Sequence, residues 1–237
     1  MGSDEQRVAV ITGGSRGIGA GLVEAYRQAG WAVVANALTI EPTDDPEVLA
    51  VDGDVSEPST GDRIVAGALD RFGRVDTLIN DAGIYLSKPF TDYTEQDYAS
   101  MVAVNLTRFF RLTQRVVPVM LAQQKGHIVN ITTTLVDYAN SDVPSVLVSL
   151  TKGGLASATR SLAIEYASRG IRVNAVSPGV IATQAHADES YKEAAGIHPL
   201  GRVGTVDDIV GGILFLESAP FVTGEILHID GGQIAGH

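Results

Sequence analysis

The sequence predicts an α/β fold, a doubly wound parallel sheet with helices on both faces, and three observations carry that expectation. Short apolar runs rich in β-branched residues alternate with longer amphipathic runs, the pattern of successive βα units. The first apolar run, Val8 to Ile11, passes straight into Thr12-Gly13-Gly14-Ser15-Arg16-Gly17-Ile18-Gly19 and then into a helical run. The 237 residues, 45% apolar and 19% charged, fit a single domain with a full core, spanning 1–237.

The glycine turn comes first because it has a chemical meaning. The helical run behind it, Ala20 to Ala29, carries Leu22, Val23, Ala25 and Tyr26 on helical spacing. Strand, glycine turn and helix together form an anion cradle. Gly13, Gly17 and Gly19 let the backbone turn sharply and approach a pyrophosphate. Ser15, Arg16 and Ile18 lie inside the turn, and the helix start offers free N–H groups and a positive dipole end. A dinucleotide is the expected ligand.

Trp31 to Ala35 reads as the second strand, followed by Asn36-Ala37-Leu38. An acid here would hold a ribose diol and repel a 2′-phosphate. Asn36 stands there without one, and Arg16 offers a charge-assisted partner for a phosphate. Both favour NADPH, while nearby Glu41 keeps NADH open as the less favoured alternative.

Thr39 to Glu47 carries Pro42 and Pro46, so a loop is expected before the third strand, Val48 to Asp52. The Asp54-Val55 pair follows. A helix is expected over Ser59 to Phe72, with Ile64, Val65, Ala68, Leu69 and Phe72 on one face. The fourth strand, Val75 to Ile79, ends in Asn80-Asp81-Ala82-Gly83. Thr94 to Gln123 reads as one long helical stretch, with Tyr98, Met101 and Leu112 in its apolar stripes and Asn105 as a polar exception. His127 to Thr132 is the fifth strand. Thr132-Thr133-Thr134 lies at its carboxyl end, where open α/β sheets place ligands. After a loop come a helix, Leu147 to Ser168, and the sixth strand, Arg172 to Ser177. Pro178-Gly179-Val180-Ile181-Ala182-Thr183 follows, and then a polar, alanine-rich segment, 184–198, expected to be a substrate lid. Val206 to Ser218 is a helix and Glu225 to Ile229 the last strand.

The net charge of −11 argues against nucleic acid or an anionic membrane surface as main partner. No apolar run is long enough to span a bilayer, and Met1 to Gln6 lacks a signal-peptide core, so a cytoplasmic setting is expected. With no cysteine, disulfide and thiolate chemistry are excluded. The five histidines are scattered without metal-ligand spacing, so no metal is expected.

The glycine turn, Asn80-Asp81-Ala82-Gly83, the run VNLTRFF around Asn105, Thr151-Lys152-Gly153-Gly154 and the Pro178-Gly179 turn together resemble the short-chain dehydrogenase/reductase family over nearly the whole chain. The resemblance implies a Rossmann-type sheet of strand order 3-2-1-4-5-6-7, a nicotinamide cofactor, a small-molecule substrate, and a homotetramer or dimer. It implies that Asp54 and Val55 lie beside the adenine. Asn80, Ala82 and Gly83 support the cofactor, with Asp81 departing from the family's second Asn. It implies that Asn105 holds a water linked to the lysine, and that Lys152 binds the ribose hydroxyls. The Ile181 backbone bonds the carboxamide, the Thr183 hydroxyl lies near the diphosphate, and Thr133 matches the family's catalytic hydroxyl.

The family pairs that lysine with a tyrosine four residues earlier, one helical turn away, as general acid. Here the position is Val148. The interval from Thr133 to Val148 is also longer than the family's usual spacing. The nearest phenol is Tyr138, and Tyr191, His186 and His198 are weaker proton donors to consider. Three readings stand. The chain transfers hydride to a quinone-like or conjugated carbonyl whose anion needs no phenolic acid. It is an ordinary ketone or alcohol enzyme that uses Tyr138 or water. Or it binds cofactor without turnover, as a sensor or partner subunit.

Overall fold

The computed structural model describes residues 6–183, 191 and 194–236. Of the segment expected as a lid, 184–190 and 192–193 lie outside the described residues, His186 among them. The strands are β1 (Val8–Thr12), β2 (Ala32–Ala37), β3 (Val48–Asp52), β4 (Thr77–Asn80), β5 (Gly126–Ile131), β6 (Ile171–Pro178) and β7 (Ile226–Ile229). The helices are α1 (Gly17–Gln28), α2 (Pro58–Phe72), α3 (Glu95–Val102), α4 (Arg108–Gln123), α5 (Val146–Tyr166) and α6 (Val206–Ser218). The strands pair in parallel in the order β3-β2-β1-β4-β5-β6-β7. The order reverses between β1 and β4, so the loops at their carboxyl ends part and leave a crevice.

Alternate strand residues point to opposite faces, and both faces are covered. Val10, Val34, Leu78, Ile128 and Val173 pack against Ile64 of α2 and Leu112, Val116 and Met120 of α4. Their neighbours Ile11, Val33, Ile79, Val129 and Val176 pack on the other side against Leu22 and Tyr26 of α1 and Ile209 and Ile213 of α6. Helices α3 and α6 start in capping boxes, Thr94 with Asp97 and Thr205 with Asp208. Each such cap contributes about 1 kcal/mol. Among the described residues no helix is long and apolar enough to cross a membrane.

Several boundaries differ from expectation for identifiable reasons. Helix α1 begins at Gly17, three residues early, because the glycines serve close backbone approach inside its first turn rather than ending a loop. β2 runs on through Asn36, whose Nδ2 donates to Val51 O at 2.9 Å and Gly53 O at 3.1 Å, tying the strand end to β3. Tyr98, expected in an apolar stripe, is 49% exposed. The stretch expected as one helix changes phase through a π-type turn at Ala103–Thr107, between α3 and α4, which slips Asn105 into the interior.

Candidate active site

The cradle is built by β1, the glycine turn and α1. Gly13 and Gly17 have φ of +77° and +57°, where a side chain would be strained. A Cβ on Gly19 would stand 2.2 Å from the Gly13 carbonyl oxygen, so turn and helix touch backbone to backbone. The N-cap of α1, Arg16, makes no side-chain cap, and the first turn holds no acid. Apart from the Gly19 N–H, which Asp81 accepts, the first N–H groups and positive end of α1 are left for an anion from outside. Beneath the turn, Thr12 Oγ1 accepts from Asp81 N and Ala82 N, both at 3.1 Å, locking β1 to the end of β4.

A cleft of about 850 Å³ opens along this edge. Gly13, Ser15, Arg16, Gly17 and Ile18 form one wall; Asn36, Val55, Ala82, Gly83 and Thr183 contribute to the others. These expected cofactor residues are brought together. Others stand off the wall. Asp54 accepts from Arg108 Nε at 2.8 Å and from Ser56 N at 2.7 Å. Asn80 donates to Asn130 Oδ1 at 2.9 Å inside the sheet. Pro178 ends β6, and Gly179 packs so closely on His198 that a Cβ there would meet its Nε2 at 2.6 Å. Ile181 bridges to Gly204 and lines a separate hollow of about 400 Å³. The uncapped helix end and the glycines of the turn fit a dinucleotide diphosphate. Ala37, Leu38 and Thr39 on the wall, without an acid and with Arg16 nearby, fit a 2′-phosphate.

The groups expected to be catalytic are Lys152, Asn105 and Thr133, none of which lines this cleft. Lys152 is buried on α5, and its Nζ donates to Ile131 O at 2.7 Å. Burial pulls its pKa down to about 8, against the pull of the Asp81 charge. Asp81 is pushed up to about 7 by burial, opposed by Lys152 and by an N–H bond from Gly19. Asn105 clamps Ile84: its Oδ1 accepts from Ile84 N at 3.0 Å and its Nδ2 donates to Ile84 O at 3.1 Å. The same Nδ2 donates to Thr151 Oγ1, beside Lys152, at 3.1 Å. Thr133 is half-buried at the end of β5, where its hydroxyl accepts from Leu135 N at 3.4 Å.

Val148, one turn before Lys152, is buried in an apolar nest with Met101 and Leu147, against which Leu86, Tyr93 and Leu135 pack. The expected alternative proton donors divide. Tyr191 OH donates to Thr183 O at 2.6 Å and accepts from Thr183 N at 2.8 Å. His198 pairs Nδ1 with Ala194 O at 3.0 Å and accepts Val180 N at Nε2, 3.1 Å away, so it clamps the turn after β6. Tyr138 is half-buried, its backbone N bonded to Thr134 O at 2.8 Å. Sequence reasoning missed the Asp54–Arg108 pair and the coupling of Asp81 with Lys152. The only signal for the second was an acid where the resemblance expects an amide.

A family model described as enoyl-(acyl carrier protein) reductase matches residues 13–233. A 3-oxoacyl-[acyl-carrier-protein] reductase of Synechocystis sp. is 33% identical, over 96% of this chain and 97% of its own length. Among solved structures, ElxO with NADP bound matches with a TM-score of 0.91 at 28% identity, covering 98% of this chain and 100% of that one. A 3-ketoacyl-(acyl-carrier-protein) reductase from Brucella melitensis complexed with NADH matches with a TM-score of 0.87 at 29% identity, again over 98% and 100%.

Proposed function

We infer, from the premise that the chain belongs to the short-chain dehydrogenase/reductase family and is an NAD(P)-dependent oxidoreductase of that type, that NADPH is its cofactor and a conjugated or quinone-like carbonyl its substrate. When bound, the cofactor supplies or receives hydride. Gly13, Ser15, Gly17 and Ile18 would hold its diphosphate, and Arg16 with the acid-free end of β2 would accommodate a 2′-phosphate. Lys152 would bind the ribose hydroxyls and offer positive charge, with Thr133 directing the substrate oxygen. Asn105 positions the turn of α5 that carries Lys152, through Thr151.

The observation that carries the substrate class is Val148 in its apolar nest. A positioned general acid is worth about 10² to 10⁴ in rate, or about 3–5 kcal/mol of barrier. An acceptor whose reduction leaves a phenolate or enolate forgoes most of that, and water, Thr133 or Lys152 supplies the remaining proton. The test is NADPH consumption with a quinone, an enone and a simple ketone. Turnover with the first two at least about a hundredfold above the third supports the reading; equal rates sink it.

The names of the relatives favour a second reading, reduction of a simple 3-oxo group with Tyr138 as acid. It requires that Tyr138→Phe abolish ketone turnover. Tight NADPH binding without turnover on any acceptor would favour the silent-partner reading over both. We further propose a cytoplasmic homotetramer or dimer, supported by exposed Phe110 on α4, Leu150 and Ile164 on α5, and Phe215 on α6.

A further inference from the structure

We propose that Asp81 couples cofactor binding to proton uptake: its carboxyl beneath the glycine turn takes one proton from solution when a dinucleotide diphosphate seats on α1. The inference rests on the reading that the cleft takes a dinucleotide. A Cβ on Gly13 would lie 2.8 Å from Asp81 Oδ2, and one on Gly19 3.0 Å. The carboxyl also accepts the N–H of Gly19. It therefore abuts the first turn of α1, and Asp81 lines the same cleft as that turn. Two anions then compete for one helix end. An amide at this position, as the resemblance expects, would present no such conflict.

The charges around Asp81 do not resolve it. From α5, Lys152 acts on it, but that ammonium also serves Ile131 O. From the turn, Arg16 is exposed at the cleft wall. From α4, Arg108 lines the cleft but is paired with Asp54. From β1, Thr12 is neutral, its hydroxyl used on Asp81 N and Ala82 N. From the π-type turn, Asn105 is neutral and engaged with Ile84 and Thr151. Burial already brings the Asp81 carboxyl to about 7, so an added diphosphate tips it to the neutral form. The bound state then holds one more proton than the free state, and affinity falls as pH rises above neutrality.

The test needs no turnover. NADP+ is titrated into the protein in weakly buffered solution near pH 8, with an indicator dye counting protons, and its Kd is measured from about pH 6.5 to 9. Wild type and Asp81→Asn are compared; the cofactor's own phosphates titrate alike against both, so the difference reports the Asp81 carboxyl together with the Lys152 ammonium coupled to it. The wild type is expected to take up close to one proton more per cofactor bound at about pH 8, and its Kd to weaken roughly fiftyfold more across the range. Equal proton counts with parallel Kd curves overturn the proposal. If Asp81→Asn fails to fold, the wild-type count alone decides: no uptake near pH 8 overturns it. Absence of binding at every pH removes the dinucleotide reading itself and this inference with it.

Discussion

Gly19→Ala tests the cradle most directly. The added methyl would stand 2.2 Å from the Gly13 carbonyl oxygen, 2.6 Å from its carbonyl carbon and 3.0 Å from Asp81 Oδ2. The first two are more than half an ångström inside any ordinary contact, and both belong to backbone. That backbone cannot swing aside, because Gly14 N is bonded to Asn36 O at 2.9 Å and Thr12 Oγ1 pins the end of β4. The turn must lift away from α1. Overpacking of this kind costs about 1–3 kcal/mol. For a chain of this length that lowers Tm by roughly 3–10 °C. The shift also moves the N–H groups that would hold the diphosphate, so the Kd for NADPH should rise at least about tenfold. Thermal melts and a nicotinamide fluorescence titration measure both quantities. Gly211→Ala is the control: in α6 its Cβ would meet nothing within 4 Å, so the same change should stabilise by about 0.5–1 kcal/mol. A Gly19→Ala protein with wild-type Tm and Kd would refute the close-approach argument.

Three further expectations use the same kind of reasoning. Ala37→Asp places an acid at the end of β2 on the cleft wall; it should weaken NADPH about tenfold or more and shift preference to NADH, read by paired titrations. Asp81 loses its proton near 3.8 when unfolded and near 7 when folded, so the folded chain holds the extra proton between these values and stability falls as pH rises through that window. Asp81→Asn should remove a slope of up to about 1.4 kcal/mol per pH unit there, measured by urea unfolding at several pH values. Glu217 Oε2 receives Tyr26 OH at 3.0 Å, Thr77 Oγ1 at 2.9 Å and His127 Nδ1 at 3.0 Å, so Glu217→Ala should cost about 3–5 kcal/mol in chemical denaturation while leaving NADPH affinity unchanged.

The fold was legible because both of its determinants are local. β-branched runs bounded by turns announce the strands, and the glycine spacing after Ile11 announces the crevice. The cleft wall was legible for the same reason: Gly13, Ser15, Arg16, Gly17 and Ile18 lie within one six-residue stretch and remain together in space. What escaped depends on partners far apart. Asp54 reads as a strand-end turn until Arg108, 54 residues on, takes its carboxylate. His198 reads as a proton donor until Val180 N and Ala194 O claim its two nitrogens. Asn105 was visible as an anomaly in an apolar stripe, but only the change of helical phase explains why it points inward. The surroundings of Val148 were not legible, since its nest draws on Leu86, Tyr93 and Met101, 47 or more residues away, as well as on Leu135 and its own helix.

That change of phase also separates two duties that an uninterrupted helix would weld together. An extra residue in one turn rotates everything beyond it by about 100°. Met101 of α3 can therefore face Val148, while Leu112, Val116 and Met120 of α4 face the sheet, each set aligned on its own account. The junction works like a coupling between two shafts. The packing around Val148 can be changed on the α3 side without twisting the helix that braces the sheet. A chain built this way can repack one region and keep the register of the other.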